Sequence, residues 1–277
     1  MKKKNWITIV LIMIGAALFT GCEKKGSQVN RDAMDLQDLG DIAVCIREEG
    51  SGTRLAFEAL LTDSDSIKSS CHVASENNEV VSYVNANKNA IGYVAGGTVS
   101  YLVNSYAVKT DMLLVRPFNL VYIGQLSELE TDFLRYILSE GQVIVSGNYE
   151  PVNNSATFLS DMSTGTIKIG GSSSMAGVVQ SLANEYMKIN PNATIAIVTT
   201  DSRDGINGAL DGTYDLGMVS RELTDYEQEL LSTEKIAKDE IVVIVNEENP
   251  IDYLSVEEIK KIFDGNIGSW AELKEEN

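Results

Sequence analysis

The chain has 277 residues and a formal net charge of −18, with 44% hydrophobic and 22% charged residues. This composition is that of a globular protein, long enough for one or two domains with their own cores. The strong acidity argues against nucleic acid as a ligand, because its phosphates require a basic surface. A small anion stays compatible, since a few backbone dipoles can outweigh a distant net charge.

The start of the chain has the pattern of a targeting segment. Lys2 to Lys4 precede an apolar run, Trp6 to Phe19, and the stretch that ends at Cys22 resembles a bacterial lipoprotein signal. We therefore expect residues 1–21 to be a signal peptide and Cys22 to be the lipid-bearing N-terminus of the mature chain. An uncleaved anchor is the alternative, but the apolar run falls short of the ~20 residues that a span needs. Residues 22–41 are polar and are predicted to be a tether.

A strand-to-helix turn follows the tether. The apolar run Ile42 to Ile46 leads through the glycines and hydroxyls of residues 50–53 into a helical stretch, Leu55 to Leu61. Such a turn places free backbone N–H groups, two hydroxyls and the positive end of a helix dipole around one point. The sequence therefore indicates an anion site, with an ordinary helix N-cap as the alternative.

The middle of the chain is predicted to contain two helices and three strands before a linker. The helices are 78–87 and 127–137, the second beginning with the capping box Ser127-Glu128-Leu129-Glu130, and the strands are 90–95, 112–115 and 118–123. The stretch that follows is rich in Asn, Ser and Thr, which predicts a linker at 153–166.

A second turn of the same kind follows the linker. The strand Ile167 to Ile169 runs into Gly170-Gly171-Ser172-Ser173-Ser174-Met175, and a helix is predicted at 176–189. Two turns rich in Gly and hydroxyls suggest two half-sites that face one small oxyanion.

Strands and helices alternate through the rest of the chain. The strands are predicted at 194–198, 214–219 and 241–245, and the helices at 205–210 and 255–263, the last beginning with the capping box Ser255-Val256-Glu257-Glu258. This alternation predicts an α/β fold with mostly parallel sheets. Ligands of such sheets bind beyond the carboxyl ends of the strands, where both turns would lie.

The motifs of common enzymes are missing from the sequence. His72 is the only histidine, and there is no Gly-x-Ser-x-Gly elbow, no nucleotide-binding Gly-x4-Gly-Lys loop and no Cys/His cluster for zinc. We therefore expect a protein that is not an enzyme and holds no cofactor and no metal. Cys45 and Cys71 could pair, but two thiols at such a spacing more often stay free.

The residues around the first turn carry a family resemblance. Ile46-Arg47-Glu48-Glu49-Gly50-Ser51-Gly52-Thr53-Arg54, with Phe57-Glu58, resembles the signature of PstS-type phosphate-binding proteins of ABC transporters. The resemblance extends over residues 42–273. It includes Asn89-Ala90-Ile91-Gly92-Tyr93, Arg116-Pro117-Phe118, Ile137-Leu138-Ser139-Glu140-Gly141-Gln142, the second turn, Asp201-Ser202-Arg203-Asp204-Gly205, the stretch Asp215 to Leu223, Ile236-Ala237-Lys238-Asp239, and Ile262-Phe263-Asp264-Gly265 with Trp270.

The resemblance implies a two-lobed, periplasmic-binding-protein-like (type II) fold in which two strands cross at a hinge. In that family the part that resembles 167–273 comes first, so the fold is expected to be circularly permuted here. A piece of a tandem or rearranged gene is the alternative. The predicted division assigns 42–104 and 241–277 to lobe 2, and 105–152 and 167–240 to lobe 1.

The resemblance also implies which residues bind phosphate. They are Ser174, Met175, Ser202, Asp204, Ser220 and Arg221 from one lobe, and Arg47, Ser51, Gly52 and Thr53 from the other. Asp204 would accept the proton that phosphate carries and sulfate lacks. Surface ion pairs for Arg54 and Arg221, and simple helix capping by Ser172 and Ser173, are the alternatives.

The expected function is extracytoplasmic binding of inorganic phosphate for delivery to the membrane subunits of an ABC permease. The protein would be a monomer, held at the cell membrane by its lipid. A receptor for another oxyanion, such as sulfate or molybdate, is one alternative. A sensor or adhesion module, or a degenerate copy that binds nothing, is another.

Overall fold

The computed structural model describes residues 34–61 and 70–274. The predicted signal peptide, Cys22 and most of the predicted tether lie outside these residues. None of the helices in the two described ranges combines the length and the hydropathy that a membrane crossing requires.

The secondary structure divides into three parts along the chain. The first contains α1 (Leu36–Leu39), β1 (Ala43–Arg47), α2 (Gly52–Leu61), β2 (His72–Ala74), α3 (Asn77–Ala86), β3 (Ala90–Ala95) and a 3-10 helix (Gly96–Tyr101). The second contains β4 (Ser105–Ala107), β5 (Leu114–Tyr122), α4 (Glu128–Ile137), α5 (Gln142–Val145) and β6 (Glu150–Pro151). The third contains β7 (Gly165–Ser172), α6 (Ser173–Ile189), β8 (Ala193–Thr200), α7 (Ser202–Asp211), β9 (Leu216–Val219), α8 (Asp225–Leu230), β10 (Ser232–Asn246), α9 (Val256–Asp264) and a 3-10 helix (Trp270–Lys274).

The strands form one continuous sheet in the order β2-β1-β3-β10-β5-β9-β7-β8. Strand β1 is parallel to both β2 and β3, and β7 is parallel to both β8 and β9. The long strand β10 is antiparallel to β3 and β5, and β5 is antiparallel to β9. Two parallel groups are therefore joined by one antiparallel pair, β5 and β10. The α/β prediction is confirmed, with parallel pairing on each side of that pair.

Apolar side chains collect in separate cores on the two sides of the β5–β10 pair. One core takes residues from the first part of the chain, Leu36 to Leu114, and from its end, Ile241 to Leu273. Another takes residues from Phe118 to Ala237. We call residues 34–61, 70–114 and 241–274 the first lobe, which corresponds to the predicted lobe 2. Residues 118–237 are the second lobe, which corresponds to the predicted lobe 1. Both β5 and β10 pass from one lobe to the other, so that the lobes meet at these strands.

The predicted lobe boundary at residue 104 is wrong. Strand β4 pairs with the first-lobe part of β10, at Ile244 to Asn246, and Val108 and Leu114 pack into the first-lobe core. Residues 105–114 therefore belong with the first lobe rather than the second. The sequence of this segment has neither helical nor alternating periodicity that could have indicated its partner.

The predicted break between strands 112–115 and 118–123 is also wrong, because β5 runs through Pro117 without interruption. Strand β9 pairs only with Asn119 to Val121 of β5, which leaves Pro117 beyond the paired segment on that side. A proline is tolerated at such an edge, where a missing N–H costs no ladder hydrogen bond.

Candidate functional site

Three helices begin at one point between the lobes. The N-terminus of α2 comes from the first lobe, and those of α6 and α7 come from the second. The first N–H groups of each helix have no partner within it, and the helix dipole adds positive potential at the same end. The sequence predicted that two turns would meet at one point, and in the structure three helix N-termini meet there.

Five buried hydroxyl side chains, which we call the hydroxyl cluster, occupy this point: Thr53, Ser172, Ser174, Ser202 and Ser220. Thr53 Oγ1 lies 2.9 Å from Ser174 Oγ across the lobes. Ser172 Oγ donates to Ser220 Oγ at 2.8 Å, and Ser202 Oγ lies 3.4 Å from the same Ser220 oxygen. Each hydroxyl is both donor and acceptor. The cluster can therefore exchange its internal hydrogen bonds for bonds to a small oxyanion.

Glycines allow the backbone to reach the cluster. Gly171 has a φ of +130°, and a Cβ there would collide with the Met218 carbonyl oxygen. Only glycine adopts this conformation readily, so β7 can turn directly into α6. A Cβ at Gly52 would collide with Ser202 Oγ and would lie 2.5 Å from Ser220 Oγ. The start of α2 thus lies directly against hydroxyls of the other lobe.

Arg116 is the cation that reaches into the cluster, and it was not among the residues predicted to bind phosphate. Its Nη1 donates to Thr53 Oγ1 at 2.6 Å, and to the backbone oxygen and hydroxyl of Ser220 at 3.2 and 3.3 Å. Its Nε and Nη2 donate to Asp239 Oδ2 at 3.0 and 2.8 Å. Burial raises the pKa of the Asp239 carboxyl, and the charge of Arg116 opposes that rise. The sequence feature that could have indicated this role is an arginine inside the apolar run of β5.

Arg47 lies at the edge of the cluster. Its Nε and Nη2 donate to the Glu48 carboxylate at 2.8 and 2.9 Å, and Nη1 donates to Asn77 Oδ1 at 2.9 Å. Nη2 also donates to Ser173 Oγ, in the opposite lobe, at 3.2 Å. The structure thus brings Arg47 to the predicted interface, with its charge shared with Glu48.

Ser51 and Met175 take part through the helix starts. Ser51 is buried, and its Oγ accepts from the Arg54 N–H at 3.4 Å, which is a capping contact. Met175 is buried as the third residue of α6, so its N–H belongs to the free first turn. Ser51 therefore caps the helix, while the Met175 amide, like that of Gly52, faces the helix end.

The structure does not bring Asp204 into the cluster. Its side chain is exposed, and its backbone N–H donates to Asp201 Oδ1 at 2.8 Å, which caps α7. Two residues along an α-helix differ by about 200° in direction, so Asp204 points away when Ser202 points inward. The predicted role of Asp204 in rejecting sulfate has no support in this geometry.

Arg221 also lies apart from the cluster, although its neighbour Ser220 belongs to it. Arg221 Nη1 and Nη2 each donate to the Glu227 carboxylate at 2.7 Å, and Glu227 in turn closes the capping box of α8 with Thr224. The alternative of an ion pair for Arg221 is therefore the correct one. The chain leaves β9 at this residue and turns toward α8.

A cavity of about 470 Å³ borders the cluster between the lobes. Asn77 and Thr98 line it from the first lobe, and Ser173, Ser174 and Tyr149 from the second. Burial raises the pKa of Tyr149 to about 12, so its hydroxyl is neutral at physiological pH. The wall of the cavity thus adds further uncharged polar groups, together with the side chain of Glu76.

The site offers neutral donors and one paired cation, a set that suits a small anion. No group of three or more His, Cys, Asp or Glu side chains within residues 34–61 and 70–274 could hold a metal ion. His72 lies 3.9 Å from Glu79 and stacks on Tyr83, with ring centroids 4.2 Å apart. Cys45 and Cys71 do not form a disulfide with each other.

Comparisons with known proteins show which proteins this chain resembles. A family model described as "PBP superfamily domain" matches residues 156–277. "Phosphate-binding protein PstS 2" of Streptococcus pneumoniae TIGR4 is 31% identical over 99% of this chain and 100% of its own length. The protein of the same name from Streptococcus agalactiae 2603 V/R is also 31% identical, over 99% of both chains.

The chain is also similar to a solved structure. The crystal structure of a phosphate ABC transporter, phosphate-binding protein from Streptococcus pneumoniae TIGR4 has a TM-score of 0.68 and 33% identity. The match covers 84% of this chain and 99% of that one.

The matches also bear on the order of the two halves. "Phosphate-binding protein PstS" of Staphylococcus haemolyticus, 32% identical, matches over only 39% of this chain and 37% of its own. The PstS 2 matches run through both chains from end to end, so the order found here is common to those relatives. A rearranged gene peculiar to this chain is not needed to explain it, while a circular permutation relative to other members stays a prediction. Since relatives of this identity match nearly its whole length, the chain belongs to the family of PstS-type phosphate-binding proteins.

Proposed function

We propose that this protein binds inorganic phosphate outside the cytoplasm and delivers it to the membrane subunits of an ABC-type permease. The observation that carries the proposal is the buried hydroxyl cluster, which lies at three helix N-termini between two lobes and receives Nη1 of Arg116. The names of the full-length relatives support phosphate as the ion.

The charge of the site suits phosphate. Each helix N-terminus carries roughly half a positive charge, so α2 and α6 together offer about +1, while the Asp201 carboxylate that caps α7 offsets the contribution of the third helix. The charge of Arg116 is largely balanced by Asp239, which lies 2.8 Å from it. The remaining positive potential favours a small anion, and the hydroxyl and amide donors stabilise it without a full countercharge. Since hydroxyl oxygens also accept hydrogen bonds, they can receive the phosphate proton that Asp204 was expected to receive.

We infer that the protein is a binding protein and not an enzyme. The hydroxyls of the site and its one paired arginine supply neither a general base nor an activated nucleophile. We propose that it acts as a monomer on the outer face of the cell membrane, anchored by a lipid on Cys22. The pattern of residues 1–22 supports the anchor.

Equilibrium dialysis of the full chain in detergent with radiolabelled phosphate tests the ligand. We expect one phosphate to bind per chain, and excess sulfate or molybdate to displace it poorly. Displacement by sulfate or molybdate at equal concentration would assign the site to another oxyanion. Absence of binding to all three ions would contradict an oxyanion receptor altogether.

Replacement of the lipidated residue tests the anchor. Cys22→Ala should leave the precursor unprocessed and unlabelled by radioactive fatty acid, because the thioether forms only on that thiol. Unchanged lipid incorporation in the variant would contradict the lipoprotein assignment.

A further inference from the structure

The ion pair of Arg116 and Asp239 joins the two strands that connect the lobes. The residues face each other in the antiparallel register of β5 and β10, and both side chains are 1% exposed. The pair lies in the short segment between the two cores, after Leu114 and before Phe118 on β5. It is therefore at the hinge and beside the hydroxyl cluster at once.

Arg116 divides its donors between the hinge and the cluster. Nε and Nη2 both donate to one oxygen of Asp239, at 3.0 and 2.8 Å. Nη1 donates to Thr53 of the first lobe and to Ser220 of the second. Because a guanidinium is planar and rigid, the bonds on one side fix the direction of the third nitrogen.

Asp239 itself reaches no hydroxyl of the cluster in the described hydrogen bonds, because its Oδ2 accepts from Arg116 and its Oδ1 lies beside the backbone of Gly96 and Gly97. Resting on the proposed function, we propose that Asp239 is a positioning residue for phosphate. It orients Arg116 so that Nη1 donates into the cluster from the hinge, where the ligand must be held by both lobes. It acts through Arg116 alone.

A positioning role and a purely electrostatic role predict opposite effects of the Asp239→Asn substitution on phosphate affinity. If Asp239 served only to neutralise Arg116, its replacement by Asn would leave extra positive charge near the site and would strengthen anion binding. If it positions Arg116, the same replacement frees the guanidinium to turn, and phosphate binds more weakly.

A double-mutant cycle on the full chain in detergent decides between them, with inorganic phosphate titrated by calorimetry. The four proteins are the wild type, Asp239→Asn, Arg116→Gln and the double variant. We expect Asp239→Asn and Arg116→Gln each to bind at least tenfold more weakly than the wild type. We expect the double variant to match Arg116→Gln within twofold. Unchanged or tighter binding by Asp239→Asn would overturn the proposal.

Folding is checked by near-UV circular dichroism and thermal unfolding, because an unpaired buried charge destabilises proteins. If Asp239→Asn does not fold, Arg116→Gln and the double variant are compared. Equal affinity of these two supports the proposal, and a difference above threefold overturns it, because Asp239 would then act without Arg116.

Glu227→Gln is the matched control, since Glu227, like Asp239, accepts two hydrogen bonds from one arginine but lies outside the cluster. Its phosphate affinity should stay within twofold of the wild type, and an equal loss in this control would also overturn the proposal. A wild type that binds no phosphate contradicts the proposed function and this role with it. If the wild type binds phosphate and Asp239→Asn binds it with the same affinity, only the positioning role is contradicted.

Discussion

Gly52 allows the two lobes to approach each other closely in the site. The position is the first of α2, and its missing side chain leaves the space that Ser202 and Ser220 occupy. The Gly-Ser-Gly turn could be predicted from the sequence because helix starts have a distinct composition. The sequence could not show that this glycine faces hydroxyls of the other lobe, because those residues lie more than a hundred positions away.

Gly52→Ala should weaken phosphate binding by at least tenfold, because the new methyl group would displace the Ser202 and Ser220 hydroxyls. Calorimetric titration measures the change. Gly268→Ala is the control, since Gly268 lies outside the cluster and the cavity, and a Cβ there makes only an ordinary contact with Glu272 Oε1 at 3.8 Å. The control should bind as the wild type does and should be more stable by up to about 1 kcal/mol. Wild-type affinity in Gly52→Ala would contradict the closed arrangement.

Arg116 and Asp204 show the limits of sequence reasoning at the residue scale. Thr53 and Ser174 follow the glycine turns and were predicted as ligands, because local sequence decides where a helix begins. Ser172 was not among the predicted ligands, yet it lies in the cluster as well. Arg116 lies in a strand, and only the pairing of β5 with β10 brings it to the cluster. Asp204 was assigned by proximity to Ser202 along the chain, but the rotation of the helix places it on the exposed face.

The buried thiol of Cys45 should make the fold sensitive to alkali. Burial raises its pKa from 9.0 to about 12. The thiol therefore stays protonated in the folded chain while it ionises in the unfolded chain above pH 9, so stability is full below that pH and falls as the pH rises further. At pH 10 the loss is about 1.4 kcal/mol.

Urea unfolding at pH 7.5 and pH 10, in reducing buffer, measures this loss. The fall in the free energy of unfolding should be larger for the wild type than for Cys45→Ala by about 1.4 kcal/mol. Cys45→Ala also loses packing free energy, but this loss is the same at both pH values and cancels when they are compared. Equal falls would show that Cys45 does not contribute.

Helix α9 shows how much local sequence decides at the scale of elements. Both predicted capping boxes are confirmed, at Ser127 for α4 and at Ser255 for α9. The length of β10 was missed, because only residues 241–245 were predicted of a strand that runs from Ser232 to Asn246. Its early half carries charges such as Asp239, which is unusual in a central strand and pairs with Arg116 at the hinge.

Ser255→Ala should lower the free energy of unfolding by about 1 kcal/mol, because the hydroxyl that accepts from the Glu258 N–H is lost. Urea unfolding measures the change. Ser82→Ala is the control, since Ser82 lies inside α3 and bonds back to the Asn78 carbonyl oxygen. Alanine is the better helix former there, so the control should be as stable as the wild type or slightly more stable. Similar losses at both serines would contradict the capping role.

The whole molecule consists of two lobes that share one sheet and enclose their hydroxyls at its hinge. Sequence patterns predicted the α/β class, and resemblance predicted the two-lobed plan. They did not locate the boundary near residue 114, because segment 105–114 gains its place only by pairing with β10. Local patterns describe elements, whereas the lobes and the site depend on pairings between distant segments.

A crystal structure grown with arsenate tests the central claim most directly, since arsenate has the shape and charge of phosphate and its arsenic scatters anomalously. We expect one anomalous peak per chain, within hydrogen-bonding reach of Thr53, Ser174 and Ser220, with Arg116 Nη1 directed at it. A peak elsewhere in the molecule, or no peak at an arsenate concentration that saturates phosphate binding, would contradict the account.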